Sequence, residues 1–496
     1  MLFVILAFFA ITALLLYLDS RKPRGFPPGP AWLPILGSAH ELAQLRRQTG
    51  FLYKACGVLA ERYGALVGLR VGKDRVVVVS GLEAIREMCA REEFDGRPRG
   101  PFYETRTFNL RRGVLLTDSD FWVEQRRFVL RQLREFGFGR RTMAELVRDE
   151  AGELARSFAD KLRRSPDGVV VPMHDAFSLH TLNTLWTMLA GIRYTAEDKE
   201  LLKLQSLLNE LFTRVDMAGA LFSQFPILQY VAPHLSGYTD FVDIHERLWR
   251  FLGDEIDRHT ETFDPAAAPR DFMDVYIKMI REAGPGSSFS ELQLLAICLD
   301  LFMAGSETTS KGLAFCFLYL LRHPEVQRRA QAEIDAVVGR ERTPDLADRS
   351  NMPYMDAVAL ESLRMLMGRT FAIPHRAVRD SHLLGHFIPK ETTLIINIPS
   401  VVMDKRAWGD PHSFRPERFL RDGKVFIPDA YLTFGCGKHR CPGETLARSN
   451  VFLFTAALLQ RFNFRVPPGE PLPSTEGVDS VSASTGPYSA LVTPRP

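Results

Sequence analysis

Cysteine is scarce. The chain has six in 496 residues: Cys56, Cys89, Cys298, Cys316, Cys436 and Cys441. Their spacings make no disulfide framework, and several lie in apolar helical stretches. Reduced thiols in a cytosol-facing protein are the simplest reading. An excess of charge is also lacking: a formal net charge of +3 over this length gives no bulk attraction for nucleic acid. There is no internal repeat, no low-complexity tract and no linker long enough to separate domains. A dinucleotide loop is missing too, because Phe136-Gly137-Phe138-Gly139 lacks the third glycine and the preceding strand. The chain therefore has no nicotinamide or flavin motif of its own. A composition 46% hydrophobic and 24% charged excludes a disordered or fibrous chain.

What is present starts with an apolar run. Residues 1–18 are apolar but for one threonine, and Asp19-Ser20-Arg21-Lys22-Pro23-Arg24 follows. A run of this length just spans a hydrocarbon core of ~30 Å. A cleaved signal would instead have a basic start, a shorter apolar core and a small-residue cleavage site. The expectation is a transmembrane anchor over 1–20, with Arg21, Lys22 and Arg24 on the cytoplasmic side. Residues 21–38 form a basic, proline-rich hinge, stiffened at Pro27, Pro28, Pro30 and Pro34. Residues 39–496 then form a single body.

Residues 65–80 alternate as a strand hairpin around Gly72-Lys73-Asp74. Residues 83–91 read as a short helix, and helical periods dominate from Phe121 to about Arg340. Short strands return at 385–389 and 392–398. The expected fold is mainly α with a small β portion contributed by both ends of the chain.

Two stretches carry candidate chemistry. Residues 434–444, Phe-Gly-Cys-Gly-Lys-His-Arg-Cys-Pro-Gly-Glu, precede a long apolar segment. A metal-ligating cysteine must be a thiolate, which backbone N–H groups and a helix N-terminus stabilise. Cys441 stands at the expected helix start and Cys436 inside the loop; the residues alone leave open whether Cys441 is a ligand or a small core residue. Residues 292–321 read as a long core helix. Within it, Ala304-Gly305-Ser306-Glu307-Thr308-Thr309 places an acid and hydroxyls where they are costly. Thr308 can bond back to a carbonyl or open the helix to water, and Glu307 can feed a proton path; a polar kink is the competing account. Glu361 and Arg364 lie three apart on one helix face, a common surface pairing, which Arg418 can extend into a buried network. Trp122 and Arg126, four apart, offer an N–H and a guanidinium to a carboxylate.

These pieces occur in the order of one family. The chain resembles a cytochrome P-450, a haem-thiolate mono-oxygenase, over essentially its whole length. The resemblance rests on the proline-rich hinge, Trp122-x-x-x-Arg126, Ala304-Gly305-x-Glu307-Thr308-Thr309, Glu361-x-x-Arg364, Phe414-x-Pro416-Glu417-Arg418-Phe419 and Phe434-x-x-Gly437-x-x-x-Cys441-x-Gly443. It implies the cytochrome P-450 fold, with a long central helix over a haem b and small sheets at one side. The pattern puts the iron ligand at Cys441, with Phe434 and Gly443 around it. It implies that Trp122, Arg126, Arg376 and His439 hold the haem propionates. His439 departs from the pattern, which has arginine there, and Arg440 is the neighbour that would compensate. Thr308 would handle oxygen and protons, with Glu307 upstream.

The resemblance also implies two electrons from NADPH through a separate reductase, met by Arg127, Arg131, Arg134 and Lys438. It implies a lipophilic substrate touching residues 101–109, 207–215, 302–306, 370–374 and 482–488, with Phe302, Ala304, Phe371 and Ile373 as pocket wall. Nucleic acid is not an expected partner. The location implied is the cytoplasmic face of the endoplasmic reticulum membrane, as in the animal microsomal group. The runs 300–311 and 437–441 are most similar to insect members. The narrowest implied activity is methyl farnesoate epoxidation in juvenile hormone synthesis. Steroid (ecdysteroid) or xenobiotic hydroxylation is the alternative within the family. A non-catalytic haem carrier or sensor, or an oxygen-independent rearranging enzyme on the same fold, would not need Thr308.

Overall fold

The computed structural model describes residues 1–214, 220–284, 286–480 and 483–495. Of the expected substrate segments, 207–215 lies outside the residues with described side chains apart from Leu208, and Ser482 also lies outside them. The fold class is the one expected: a helical body with small sheets.

The hairpin forms where β-branched residues cluster. Leu66–Val71 pairs antiparallel with Asp74–Ser80, and the second strand then pairs in parallel with Thr393–Asn397. His375–Arg376 closes the four-stranded sheet on the far side of that strand. A second sheet joins Val169–Pro172 to the C-terminal strands Phe462–Arg465 and Ser489–Pro494. Both sheets therefore draw on distant parts of the chain, as pairing of the two ends requires.

The helix Glu291–Arg322 organises the body. Its 32 residues span about 48 Å at 1.5 Å per residue. It starts at Ser290, whose hydroxyl accepts a hydrogen bond from the Gln293 N–H at 3.2 Å and satisfies one otherwise unpaired donor. Apolar residues on nearly every face bury it in the largest core cluster. The helix Ser178–Ala190 runs close alongside. A Cβ at Gly305 would sit 2.3 Å from a Leu185 methyl, so the small residue sets this approach. On another side lie Pro353–Met367 and Glu444–Arg461, touching at Gly312 through Leu363 and Val451.

Leu2–Asp19 is long and apolar enough to cross a membrane, and none of it packs inside the body. Its last residue is tied down: the Asp19 carboxylate accepts from the Ile35 N–H at 2.6 Å and from Arg70 at 2.7 Å. The proline-rich segment thus lies against the sheet; a Cβ at Gly29 would strike the Gly68 carbonyl.

Candidate active site

The loop carrying Cys441 is closed by its own backbone, the Cys441 N–H donating to the Phe434 carbonyl at 2.9 Å. Gly437 sits at φ +71°, and a Cβ there would lie 2.4 Å from the Cys89 carbonyl oxygen. Glycine is what lets the loop ride on the end of the helix Leu82–Cys89. Gly443 is the N-cap of Glu444–Arg461, so the sulfur lies at the positive end of that helix. Of the six cysteines, Cys441 is exposed, Cys436 half-buried and the other four buried. Surrounding protein raises the Cys441 thiol above the usual range. The Gly443 N–H and the charges of Arg126 and Arg440 oppose that rise.

The central helix opens on one stripe only. Between Ala296 and Leu321, every residue is buried except Leu301, Ala304, Gly305 and Thr308. These positions are spaced i, i+3, i+4, i+7, which is a single helical face. Thr308 is exposed and donates to the Ala304 carbonyl at 2.8 Å. It lies one turn before Gly312, where Val451 of the helix that follows the Cys441 loop makes contact. Glu307 faces the other way. It is buried, with Lys311 Nζ 3.2 Å from its carboxylate, and burial raises its carboxyl above the usual range against the pull of Lys311.

Around the Cys441 loop lies a group of positive and hydrogen-bonding side chains. The Trp122 ring packs on His439 with centroids 4.2 Å apart and the rings tilted by 39°, and the Arg126 guanidinium lies 5.2 Å from the Trp122 ring centre. His375 packs edge-on to His439 at 5.2 Å. Arg97 is buried, donates to the Ile373 and Pro374 carbonyls at 3.1 and 2.9 Å, and leaves its Nε without a partner. Burial and the like charge of Arg126 push Arg97 down to about 10. Burial and Arg97 push His439 down to about 3, so its ring is neutral, and its Nε2–H donates to the Asp95 carbonyl at 2.8 Å. Two guanidiniums held together with an unpaired donor need an anion.

A family model described as Cytochrome P450 matches residues 27–492. The chain is 45% identical to the probable cytochrome P450 303a1 of Drosophila melanogaster, with 99% of each chain covered. It is 38% identical to the farnesoate epoxidase of Bombyx mori, covering 97% of each. It is 35% identical to cytochrome P450 2D4 of Rattus norvegicus, covering 99% of this chain and 98% of that one. This chain is a cytochrome P450. It is a mono-oxygenase whose cofactor is a haem with a thiolate ligand, and it uses O2 and reductase-derived electrons.

The residues present fit that cofactor. An exposed cysteine at a helix N-terminus suits a thiolate ligand, and a Cβ at position 443 would stand only 3.7 Å from its sulfur. The cationic group suits the two propionates of a P450 haem. Arg97 and His375 belong to that group by position, although reading the sequence picked out neither. Of the pair His375-Arg376, the histidine packs on His439 and the expected arginine turns to Asp118. The Arg376 guanidinium is instead committed to Asp118 at 2.8 Å, Glu391 at 2.7 Å and the Arg97 carbonyl at 2.8 Å. Arg126 donates to the Arg440 carbonyl at 2.7 Å, and Arg440 turns its own guanidinium to Glu444 at 2.6 Å. Trp122 donates to the Val114 carbonyl at 3.0 Å.

The expected pocket wall divides. Ala304 lies on the open stripe and Ile373 is half-buried. Phe302 does not line that stripe: it is fully buried against Trp186, with ring centres 5.6 Å apart, and against Phe251. Two residues before Ala304 is about 200° around a helix, which turns Phe302 to the opposite side. Phe371 packs in the cluster between the four-stranded sheet and the helices Ala39–Thr49 and Leu52–Tyr63. Glu361, Arg364 and Arg418 are brought together: Arg364 forks onto Glu361 at 2.7 and 2.8 Å, and Arg418 reaches it at 3.1 Å. Glu361 and Arg364 are fully buried, so the surface pairing is excluded.

Proposed function

We propose that this P450 is a membrane-anchored enzyme inserting one oxygen atom into a lipophilic substrate, with Cys441 as iron ligand and Thr308 and Glu307 handling protons. The supporting observation is the open stripe through Thr308 in an otherwise buried helix, beside the crossing with Glu444–Arg461, the helix after the Cys441 loop. Bound haem supplies the redox chemistry that activates oxygen. The protein does the rest. The helix N-terminus, the Gly443 N–H, Arg126 and Arg440 hold negative charge on the Cys441 sulfur. Arg97 and Arg126 would hold the propionates, while Trp122, His439 and His375, whose N–H groups go to the Val114, Asp95 and Phe94 carbonyls, would pack around that seat. Arg376 acts from behind, through Asp118 and the Arg97 carbonyl. The Thr308 hydroxyl offers a donor and acceptor on the open face, and buried Glu307, paired with Lys311, lies one residue away.

Electrons come from NADPH through a separate reductase. Arg127, Arg131 and Arg134 project from Ser119–Glu135 into solvent and suit an acidic partner surface. Lys438 is less available, because Glu92 and Asp95 hold it at 2.7 and 3.2 Å. The anchor helix places the body at the cytoplasmic face of the endoplasmic reticulum membrane, where a lipophilic substrate partitions.

For the substrate, the narrow reading is epoxidation of methyl farnesoate, supported by the relative named farnesoate epoxidase at 38% identity. Hydroxylation of a steroid (ecdysteroid) or a xenobiotic is the second reading; the relative at 45% carries no substrate in its name. Haem-loaded protein titrated with methyl farnesoate and with ecdysteroids decides between them through the spin-state shift, followed by product analysis with reductase. A shift and an epoxide support the narrow reading; a shift with the steroid alone replaces it. The ligand assignment fails if Cys441→Ala keeps the thiolate-type carbon monoxide band and Cys436→Ala loses it.

A further inference from the structure

Cys436 lies in the loop that carries Cys441, five positions earlier, and has no part in the chemistry above. Cys436 packs against the apolar cluster that contains Cys89, the last residue of the helix Leu82–Cys89. The backbones touch at the same place, since a Cβ at Gly437 would lie 3.0 Å from the Cys89 Cβ. Cys89 is buried and Cys436 half-exposed, so one sulfur faces an approaching oxidant and the other waits behind it. The surroundings favour the division of labour. The Cys89 thiol, with Arg86 and Arg440 nearby, holds the Cys436 thiol below its usual range. The same contact and burial raise Cys89. Two further contacts clamp the loop to this segment: Lys438 on Glu92 and Asp95, and His439 on the Asp95 carbonyl. The Cys441 loop is therefore held against the end of the helix Leu82–Cys89.

We propose that Cys89 and Cys436 are a reversible thiol–disulfide site, oxidised by hydrogen peroxide, that ties the Cys441 loop covalently to the helix Leu82–Cys89. The Cys436 thiolate attacks peroxide; the O–O bond breaks, a sulfenic acid forms and hydroxide leaves. The Cys89 thiol then attacks the Cys436 sulfur, the S–S bond forms, the S–O bond breaks and water leaves. Two thiols lose two electrons, and one peroxide becomes two waters. A small dithiol reductant reverses the bond by exchange at the more exposed sulfur.

The test uses the full-length haem-loaded protein. It is treated with a small excess of hydrogen peroxide, its free thiols are alkylated, and it is digested without reductant. The expected result is one cross-linked peptide pair joining Cys89 to Cys436, an intact mass lower by two hydrogens, and loss of both on adding dithiothreitol. Cys89→Ser is expected to leave a sulfenic acid at Cys436 that a dimedone-type probe labels. Cys436→Ser is expected to leave Cys89 unlabelled. Full alkylation of both cysteines in the peroxide-treated wild type overturns the proposal. So does a Cys436 linked to another chain, or dimedone labelling of Cys89 in place of Cys436. The wild-type peptide map answers the question even if a serine variant folds poorly.

Discussion

Thr308 is the residue whose chemistry is easiest to isolate. Its hydroxyl donates to the carbonyl one turn back, leaving its oxygen lone pairs on the open face. Alanine is a better helix former than threonine, so Thr308→Ala removes the hydroxyl without weakening the helix. The expected outcome is a severalfold fall in product per NADPH consumed and a rise in peroxide, with the thiolate-type spectrum unchanged. Thr308→Ser recovers much of the coupling. Unchanged coupling in Thr308→Ala would show that protons reach the site by another route. Arg97 offers a complementary test that does not depend on turnover. Arg97→Leu keeps much of the volume but removes a buried cation with an unpaired Nε. A charge-assisted hydrogen bond contributes about 1.5–3 kcal/mol. Haem should therefore transfer to apomyoglobin faster by on the order of tenfold or more. Transfer at the wild-type rate would remove Arg97 from the propionate seat.

At the scale of elements, one buried clip joins two helices. The Tyr238–Glu261 helix ends near His259, whose ring reaches the Asp271 carboxylate at 3.0 Å. Asp271 also accepts from the Asp274 N–H at 3.0 Å and so caps the helix Phe272–Ala283. Burial alone would lower His259, but hydrogen bonds to Asp271 and Glu255 raise it from 6.5 to about 10. A histidine raised on folding stabilises the native state fully below its unfolded value. That contribution fades as pH climbs from about 6.5 through about 10. His259→Gln should lower the thermal midpoint at pH 6.5, at a cost of about 3 kcal/mol for the buried Asp271 carboxylate left without its cation. It should also flatten the fall in midpoint across that window. A variant as pH-sensitive as the wild type would show that other groups set the slope.

Elements of this kind were largely legible from sequence. The core helix expected at 292–321 is Glu291–Arg322, and the strands expected at 385–389 and 392–398 are His386–Ile388 and Thr393–Asn397. Periodicity and punctuation are local, so they survive without the fold. Arg97 and His375 were not legible, because their adjacency is made by a coil after one helix and a strand far along the chain. Phe302 was misplaced for a different reason: its apolar character suggested a pocket wall, whereas helical phase decides which side it faces.

For the molecule as a whole, the anchor and a surface patch share one edge. Asp19 closes the apolar helix against Ile35 and Arg70. Leu33, Ile35 and Leu36 are exposed there, as are Leu221, Ile227, Tyr230, Val231 and Leu235, with Tyr230 at 81% and Leu235 at 89%. A groove of about 710 Å³ runs between residues 36–52 and 220–244 and joins the two sets. An apolar edge next to a membrane-crossing helix is suited to resting on lipid. Each large side chain leaving water contributes about 1.5–3 kcal/mol at full burial. A chain starting at Asp19 should therefore still float with phosphatidylcholine vesicles, though less completely than the full chain. Adding Ile227→Ser, Tyr230→Ser and Leu235→Ser to that shortened chain should reduce its partitioning by on the order of a hundredfold or more, given 1.4 kcal/mol per tenfold. In the full-length chain the same three changes should leave it membrane-bound, because Leu2–Asp19 is by itself long and apolar enough to cross a bilayer. If the shortened chain stays in the aqueous fraction with the patch intact, the edge does not touch lipid and the anchor alone holds the enzyme at its membrane.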